Sequence, residues 1–304
     1  MRVISLLASG TEIVCALGSG ESLVGRSHEC DNPPWVKSLP PCSAPAFDVS
    51  VSSREIDAEV NRRIRSREPL YRIHTDLIEK LAPDLVITQA HCEVCAVTPE
   101  DVERSGCRPS AASVLALTAG SLDGIFDGII QIAEALGKES CGRDLVCRER
   151  SRLKVVQERV AVLRRPSVVM LEWMDPLFAM GNWGSELVQI ANGDLRIGKK
   201  GGHSSAIAFD RLLEADPEFI IVAPCGFDLE RTLGERRVLE NHPLLNSLGA
   251  VKSGKVAFAD GSLFFNRSGM TISQTGEIIA EILHGEIFEV RTEGAHWRWA
   301  KSSE

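Results

Sequence analysis

Short runs of β-branched and other apolar residues alternate with longer segments of helical period along most of the chain. Val3 to Leu7, Leu85 to Thr88, Val114 to Leu117, Val168 to Leu171, Phe219 to Val222 and Val256 to Ala259 each read as a buried strand. Strands buried on both faces and separated by helices predict α/β layers with mostly parallel sheets. The first helix is expected to start with Ser9 or Thr11 as N-cap and to end near Gly18, with Ile13, Val14 and Leu17 on one face.

The middle of the chain departs from this alternation. From Ser121 to about Arg164 the period stays helical, with Leu122, Ile125, Phe126, Ile129, Ile132, Ala133 and Leu136 three or four apart. After Gly137 a second helix from about Gly142 carries Leu145, Val146, Leu153, Val156, Val160 and Leu163. A helix of about 22 residues is roughly 33 Å long, enough to join two lobes. The flanking parts echo each other: Leu77 to Thr88 is a helix end, Pro83 and a buried strand, and Leu212 to Val222 repeats that unit around Pro217. The expected organisation is an N-terminal α/β lobe at 1–120, linker helices at 121–164, a C-terminal α/β lobe at 165–290 and a polar tail at 291–304. Both lobes are Rossmann-like, and their strand-end loops face each other across a ligand cleft.

Composition narrows the partners. In 304 residues, 34 Lys plus Arg face 42 Asp plus Glu, a net charge of -8 with no long basic run, which argues against nucleic acid or an anionic membrane surface. No apolar run reaches the roughly 18 residues of a membrane span. The N-terminus meets turn residues and Glu12 before any signal-peptide core develops, so the expected location is cytoplasmic. Nine cysteines, an odd number, read as thiols in a reducing compartment.

Several loops carry chemistry. Cys92 and Cys95 form a Cys-x-x-Cys pair, half of a tetrahedral sulfur site, which His28, Cys30 and Cys225 in other strand-end loops can complete to hold Zn or an Fe–S cluster. The alternative is small, buried, inert thiols. In the second lobe Trp173, Asp175 and Trp183 follow a strand, and Phe264, Phe265 and Arg267 follow the last one; aromatics beside charged groups stack on planar ligands or plug the space between lobes. Walker, His-Glu-x-x-His, Gly-x-Ser-x-Gly and Gly-x-Gly-x-x-Gly motifs are absent, so no hydrolase or dehydrogenase signature is present.

The order of these features resembles the helical-backbone periplasmic-binding-protein family. Arg2 to Val14 is similar to its first strand, turn and helix, with Ala8 and Gly10 standing where the family has Pro and Ala; Leu23 to Arg26 is similar to its second strand, and Pro83-Asp-Leu-Val to its Pro-Asp-Leu-Val unit. More narrowly, the segments at His28 to Asp31, Cys92 to Val97, Leu171 to Trp173 and Ala223 to Asp228 resemble the branch of cobalamin-binding or Fe/B12-type substrate-binding proteins. Asn182 stands where similar sequences often have His. The resemblance implies reversible, non-catalytic binding of a corrinoid such as cobalamin, or a related metal chelate, with a transporter or corrinoid-handling protein as partner. The expected ligand-binding set is Ser9, Thr11, Glu12, Arg26, Trp173, Asp175, Trp183, Phe227, Phe264, Phe265 and Arg267. The alternative is a metal-centred protein, with an enzyme among its forms, built on the five Cys and His residues.

Overall fold

The structure is a computed structural model and describes residues 1–90, 94, 96–106, 112–288 and 290–300. The first lobe contains β1 (Val3–Ser5), α1 (Ala8–Ala16), β2 (Leu23–Arg26), β3 (Ser43–Pro45), α2 (Ser53–Ser66), β4 (Tyr71–Ile73), α3 (Thr75–Leu81), β5 (Leu85–Gln89), α4 (Pro99–Arg104) and β6 (Ser113–Leu117). Its main sheet is parallel throughout, in the order β2-β1-β5-β6, while β3 and β4 pair antiparallel beside it. Alternate residues face opposite cores: Val3 and Ile87 pack towards the linker helices, Ile4 and Val86 towards α3 and α4. This is the pattern of a sheet buried on both faces.

The linker consists of α5 (Leu122–Ala135) and α6 (Glu139–Val160), and α6 has the 22 residues that its period predicts. α6 packs on α5 and on two second-lobe helices, α7 (Gly184–Ile190) and α12 (Ile272–His284). One apolar core therefore runs from Val3 and Ile87 through Ile129, Leu153 and Val156 to Ile221 and Ile278. Buried Glu149 fastens α6 to α12 by accepting the Ser273 hydroxyl while Arg148 lies 3.4 Å away.

The second lobe has β7 (Ser167–Met174), β8 (Leu177–Ala179), β9 (Asp194–Leu195), β10 (Ser205–Ala206), α8 (Phe209–Ala215), β11 (Phe219–Val222), α9 (Leu229–Glu235), α10 (Arg237–Glu240), α11 (Gly249–Lys252), β12 (Val256–Ala259) and β13 (Trp297–Trp299) around α7 and α12. β7, β11 and β12 are parallel, with antiparallel β8, β10 and β13 towards the edges. The stretch from 291, expected as a polar tail, supplies β13, because Trp297 is 1% exposed and pairs opposite Ala259. The apolar side chain gains more from burial than a free tail would from solvation.

The start of α1 also differs from the sequence expectation. Leu7 occupies the N-cap position without a side-chain bond, and Ser9 and Thr11 lie inside the helix. The helix begins early because it is pressed onto the sheet: a Cβ at Gly10 would come within 2.8 Å of Ile87 Cγ2 and 2.9 Å of Ser5 Oγ. The hydroxyls freed from capping reach across to other segments instead.

Candidate functional site

The carboxyl ends of the parallel strands of the two sheets meet through Arg267. This residue follows β12 and a tight π-helical turn, Gly261–Phe265, whose start is held by Asp260 Oδ1 accepting from the backbone N–H of Ser262 and Leu263 at 2.9 and 2.8 Å. Asn266 donates to the carbonyl of Ala223 at 2.8 Å, clasping the ends of β11 and β12 together. Arg267 Nε donates to Ser262 O at 2.9 Å, and its Nη1 donates across the lobes to Glu12 Oε1 at 3.0 Å and Asp31 Oδ1 at 2.7 Å. Asn32 Nδ2 completes the group by donating to the same Glu12 oxygen at 3.0 Å.

This contact is dry. Glu12 is 3% exposed and Arg267 6%. Burial raises the Glu12 pKa by more than Arg267 and Asn32 lower it, whereas burial alone would lower that of Arg267, and Glu12 and Asp31 carry it upward. The second Glu12 oxygen, Oε2, has no hydrogen-bond partner. It faces Gly269, where a Cβ would lie 3.0 Å from it and 2.9 Å from Ser9 Cβ. Ser9 and Ser268 hydroxyls meet 3.3 Å apart beside it, so the lobes touch here with no room for a larger side chain.

On the accessible side of this contact lie His28 and Glu29. His28 Nδ1 is 3.0 Å from Ser43 Oγ and 3.4 Å from Ser27 Oγ, and its ring tilts over Tyr71 at 5.6 Å. Burial, then Arg26 and His74, push its pKa down to about 4, so the imidazole is neutral at pH 7. Its Nε2 lies 3.9 Å from Glu29 Oε1. The Glu29 side chain is 41% exposed, and partial desolvation by the protein around it raises its pKa to about 7 against the pull of Arg267, with Asp31 adding to the rise. Arg26 is turned away from this group: it donates to the carbonyls of Leu39, Ser27, His28 and Lys37 and frames the loop that carries His28.

The aromatic residues of the second lobe divide into two sets. Trp173 is half-buried, 5.1 Å from Phe227, and its indole N–H donates to Ser53 O at 3.1 Å. Trp183, Phe227, Phe264 and Phe265 are 5%, 2%, 1% and 1% exposed and belong to the core beneath the strand ends. Asn182 has φ 50, a left-handed backbone that Asn enters more readily than most residues. Asp175 pairs with Arg54 at 2.7 Å.

Arg54 and Ser53 belong to a feature that pattern reading missed. The segment from Phe47 into α2 leaves the first lobe and lies on the second, with Ile56 buried in the second-lobe core. Val51 O accepts from Arg231 at 2.9 Å and Ser53 N donates to Glu235 at 2.9 Å. The capping box of Ser52 and Glu55 is the local signal that fixes where this strap turns into helix.

The proposed sulfur ligands are not gathered among the described residues. Cys30 is 1% exposed, accepts the Thr11 hydroxyl at 3.0 Å and sits 3.7 Å from Ser5 O; burial raises its pKa to about 11, so it is a protonated thiol. Cys225 is half-buried, its backbone N–H donating to Glu172 O. Cys92 and Cys95 lie outside the described residues. Among the described residues no group of three or more His, Cys, Asp or Glu side chains converges as a metal site. Two cavities of about 410 Å³ lie away from the carboxyl ends of the strands, one on the outer face of α5 and α6 and one under the second lobe.

The family profile described as periplasmic binding protein matches residues 3–263. No curated protein matches the sequence. Among solved structures, the periplasmic heme-binding protein RhuT from Roseiflexus sp. RS-1 is 22% identical, with TM-score 0.70 over 95% of this chain and 99% of that one. A periplasmic heme-binding protein from Pseudomonas aeruginosa is 18% identical, with TM-score 0.71 over 94% of each chain. The periplasmic vitamin B12 binding protein BtuF of Vibrio cholerae is 20% identical, with TM-score 0.65 over 93% of this chain and 96% of that one. Two α/β lobes meeting at their strand ends across a helical linker, and a profile match over most of the length, place this chain in the periplasmic binding protein family.

Proposed function

We propose that this protein binds a corrinoid, or a closely related metal chelate such as haem, reversibly and without chemical conversion, between the strand ends of its two lobes. The observation that carries the reading is the junction at Arg267: the carboxyl ends of the parallel strands of both sheets meet there, and α/β sheets present ligands at that edge. Folds of the same kind in the heme-binding and vitamin B12 binding proteins support it. His28 offers the chelate a neutral imidazole edge held in place from behind by Ser43. Glu29, exposed beside it and titrating near neutrality, offers a carboxyl that donates or accepts a hydrogen bond to amide or propionate groups at the ligand's rim.

The linker shapes how binding proceeds. Because α5 and α6 share one core with both lobes, separation of the lobes is resisted along the whole interface, and the ligand is received with small adjustments rather than wide closure. The proposal includes delivery to a transporter or corrinoid-handling protein, and residence in a reducing compartment, for which the buried, protonated thiol of Cys30 is the support. Among the described residues no helix is long and apolar enough to cross a membrane.

The test is an anaerobic UV–visible spectrum with metal analysis on the purified chain, before and after addition of cobalamin and removal of excess. Retained corrin absorption on protein free of Zn and iron supports the reading. Stoichiometric Zn or iron with thiolate bands, and no retained corrin, assigns the site to the cysteines.

A further inference from the structure

The cavity under the second lobe lies at the amino ends of β11 and β12, the opposite edge of the sheet from Arg267. Its volume, about 410 Å³, falls within the roughly 300–1,000 Å³ of small-molecule sites. Its inner wall is aromatic: Trp297 meets Trp299 edge-on at 5.0 Å, and Trp299 faces Phe219 at 6.3 Å. The roof is the returning C-terminal segment, pinned by Glu281 Oε2, which accepts from Thr292 Oγ1 at 2.5 Å, Thr292 N at 3.3 Å and Trp297 Nε1 at 3.5 Å. At the lip Ile287 and Val290 are 61% and 39% exposed, so the apolar lining continues to the surface.

The charges around this box are unevenly committed. Arg164 is paired bidentately with Glu218, His284 Nε2 is 2.9 Å from Ala191 O, and the Glu281 carboxylate already takes its three donors. Glu286 contributes one carboxylate to the lining. Lys255 is different: its ammonium lies 4.6 Å above the Phe219 ring and, although its field reaches Glu218, it is within ion-pair distance of no carboxylate among the described residues. A cation held over an aromatic face in an apolar recess favours an anionic head joined to an apolar body.

We propose that this cavity is a second ligand site, for a small amphipathic monoanion such as a medium-chain or aromatic carboxylate, with the carboxylate at Lys255 and the apolar body along Trp299 and Ile287. The aromatic walls supply contact area, and the ammonium selects the charged head over its neutral counterpart.

Octanoate and 1-octanol serve as charged and neutral probes, titrated by calorimetry and tryptophan fluorescence into wild-type, Lys255→Met and Lys255→Arg proteins whose folding is checked by circular dichroism. The expected result is saturable octanoate binding, weakened about tenfold or more in Lys255→Met and kept within about threefold in Lys255→Arg, with octanol indifferent to either change. Excess cobinamide should leave octanoate binding unchanged, which separates this site from the one between the lobes. Equal affinity for octanoate and octanol, unchanged octanoate binding in Lys255→Met, displacement by cobinamide, or no saturation up to about 1 mM octanoate would each overturn the proposal.

Discussion

Arg267 of the second lobe and Glu12 of the first form a buried ion pair 3.0 Å long, with Asp31 as a second acceptor at 2.7 Å. The pair joins segments 255 residues apart in sequence at the point where the two sheets meet. Its arrangement explains the sequence around it: Gly269 is small because Glu12 Oε2 and Ser9 stand against it, and Asn32 lies where it can donate to Glu12.

Replacing Arg267 with Met leaves Glu12 buried without its cation. We expect a loss of about 3–5 kcal/mol of unfolding free energy, because the cost is that of an unpaired charge in a dry site. The double variant with Glu12→Gln should recover part of that loss. Urea denaturation of wild type, both single variants and the double variant measures the coupling, and purely additive effects would contradict the pairing.

Stability should depend on pH through His28 and Glu29 in opposite directions. The folded pKa of His28 is lowered from 6.5 to about 4, so its contribution is present above pH 6.5 and is lost as pH falls towards 4. That of Glu29 is raised from 4.5 to about 7, so its contribution is present below pH 4.5 and is lost as pH rises towards 7. Solvent reaches much of the Glu29 side chain and screens its part. His28→Asn should therefore flatten the acid-side fall, and Glu29→Gln should flatten the fall between pH 4.5 and 7. Urea midpoints measured across pH 4 to 8 test both; a variant profile parallel to wild type removes that group from the account.

The strap from Phe47 to α2 is held by its apolar contact more than by its surface ion pair. Arg54 is 77% exposed at its side chain, so Arg54→Ala should change stability by no more than about 1 kcal/mol. Ile56 is buried in the second-lobe core, and Ile56→Ala should cost about 2–5 kcal/mol. Hydrogen exchange in this segment should rise in Ile56→Ala and stay near wild type in Arg54→Ala; the reverse order would mean that charge holds the strap.

Gly10 marks the closest approach of α1 to the sheet, where a Cβ would lie 2.8 Å from Ile87 Cγ2 and 2.9 Å from Ser5 Oγ. Gly10→Ala should destabilise the protein by about 1–3 kcal/mol, since Ile87 and Ser5 must both give way. A thermal midpoint equal to or above wild type would show that the helix shifts freely.

Much of the architecture was legible in the sequence because it rests on local period. The six apolar runs fall on β1, β5, β6, β7, β11 and β12, and the long helix has its expected length. What escaped was non-local. The start of α1 differs from its local signal because Ser9 and Thr11 bond to Ser268 and Cys30 rather than to their own helix. The strap of α2 carries its apolar side chains across to another lobe, which its amphipathic pattern alone cannot show. β13 was hidden among charged residues, where a Trp-x-Trp pair is the only trace of an edge strand. At the site, Glu12 and Arg267 are both recognisable as candidates, but nothing in their spacing joins them, and Asp31 and Asn32, which complete the group, carry no local signal beside His28 and Cys30.

Equilibrium dialysis of the purified chain against cobinamide, cobalamin and haemin, with His28→Ala alongside wild type, tests the central claim most directly. The account predicts one chelate bound per chain at micromolar affinity or better, weakened about tenfold or more in His28→Ala. Failure of all three chelates to bind at micromolar concentration would contradict it.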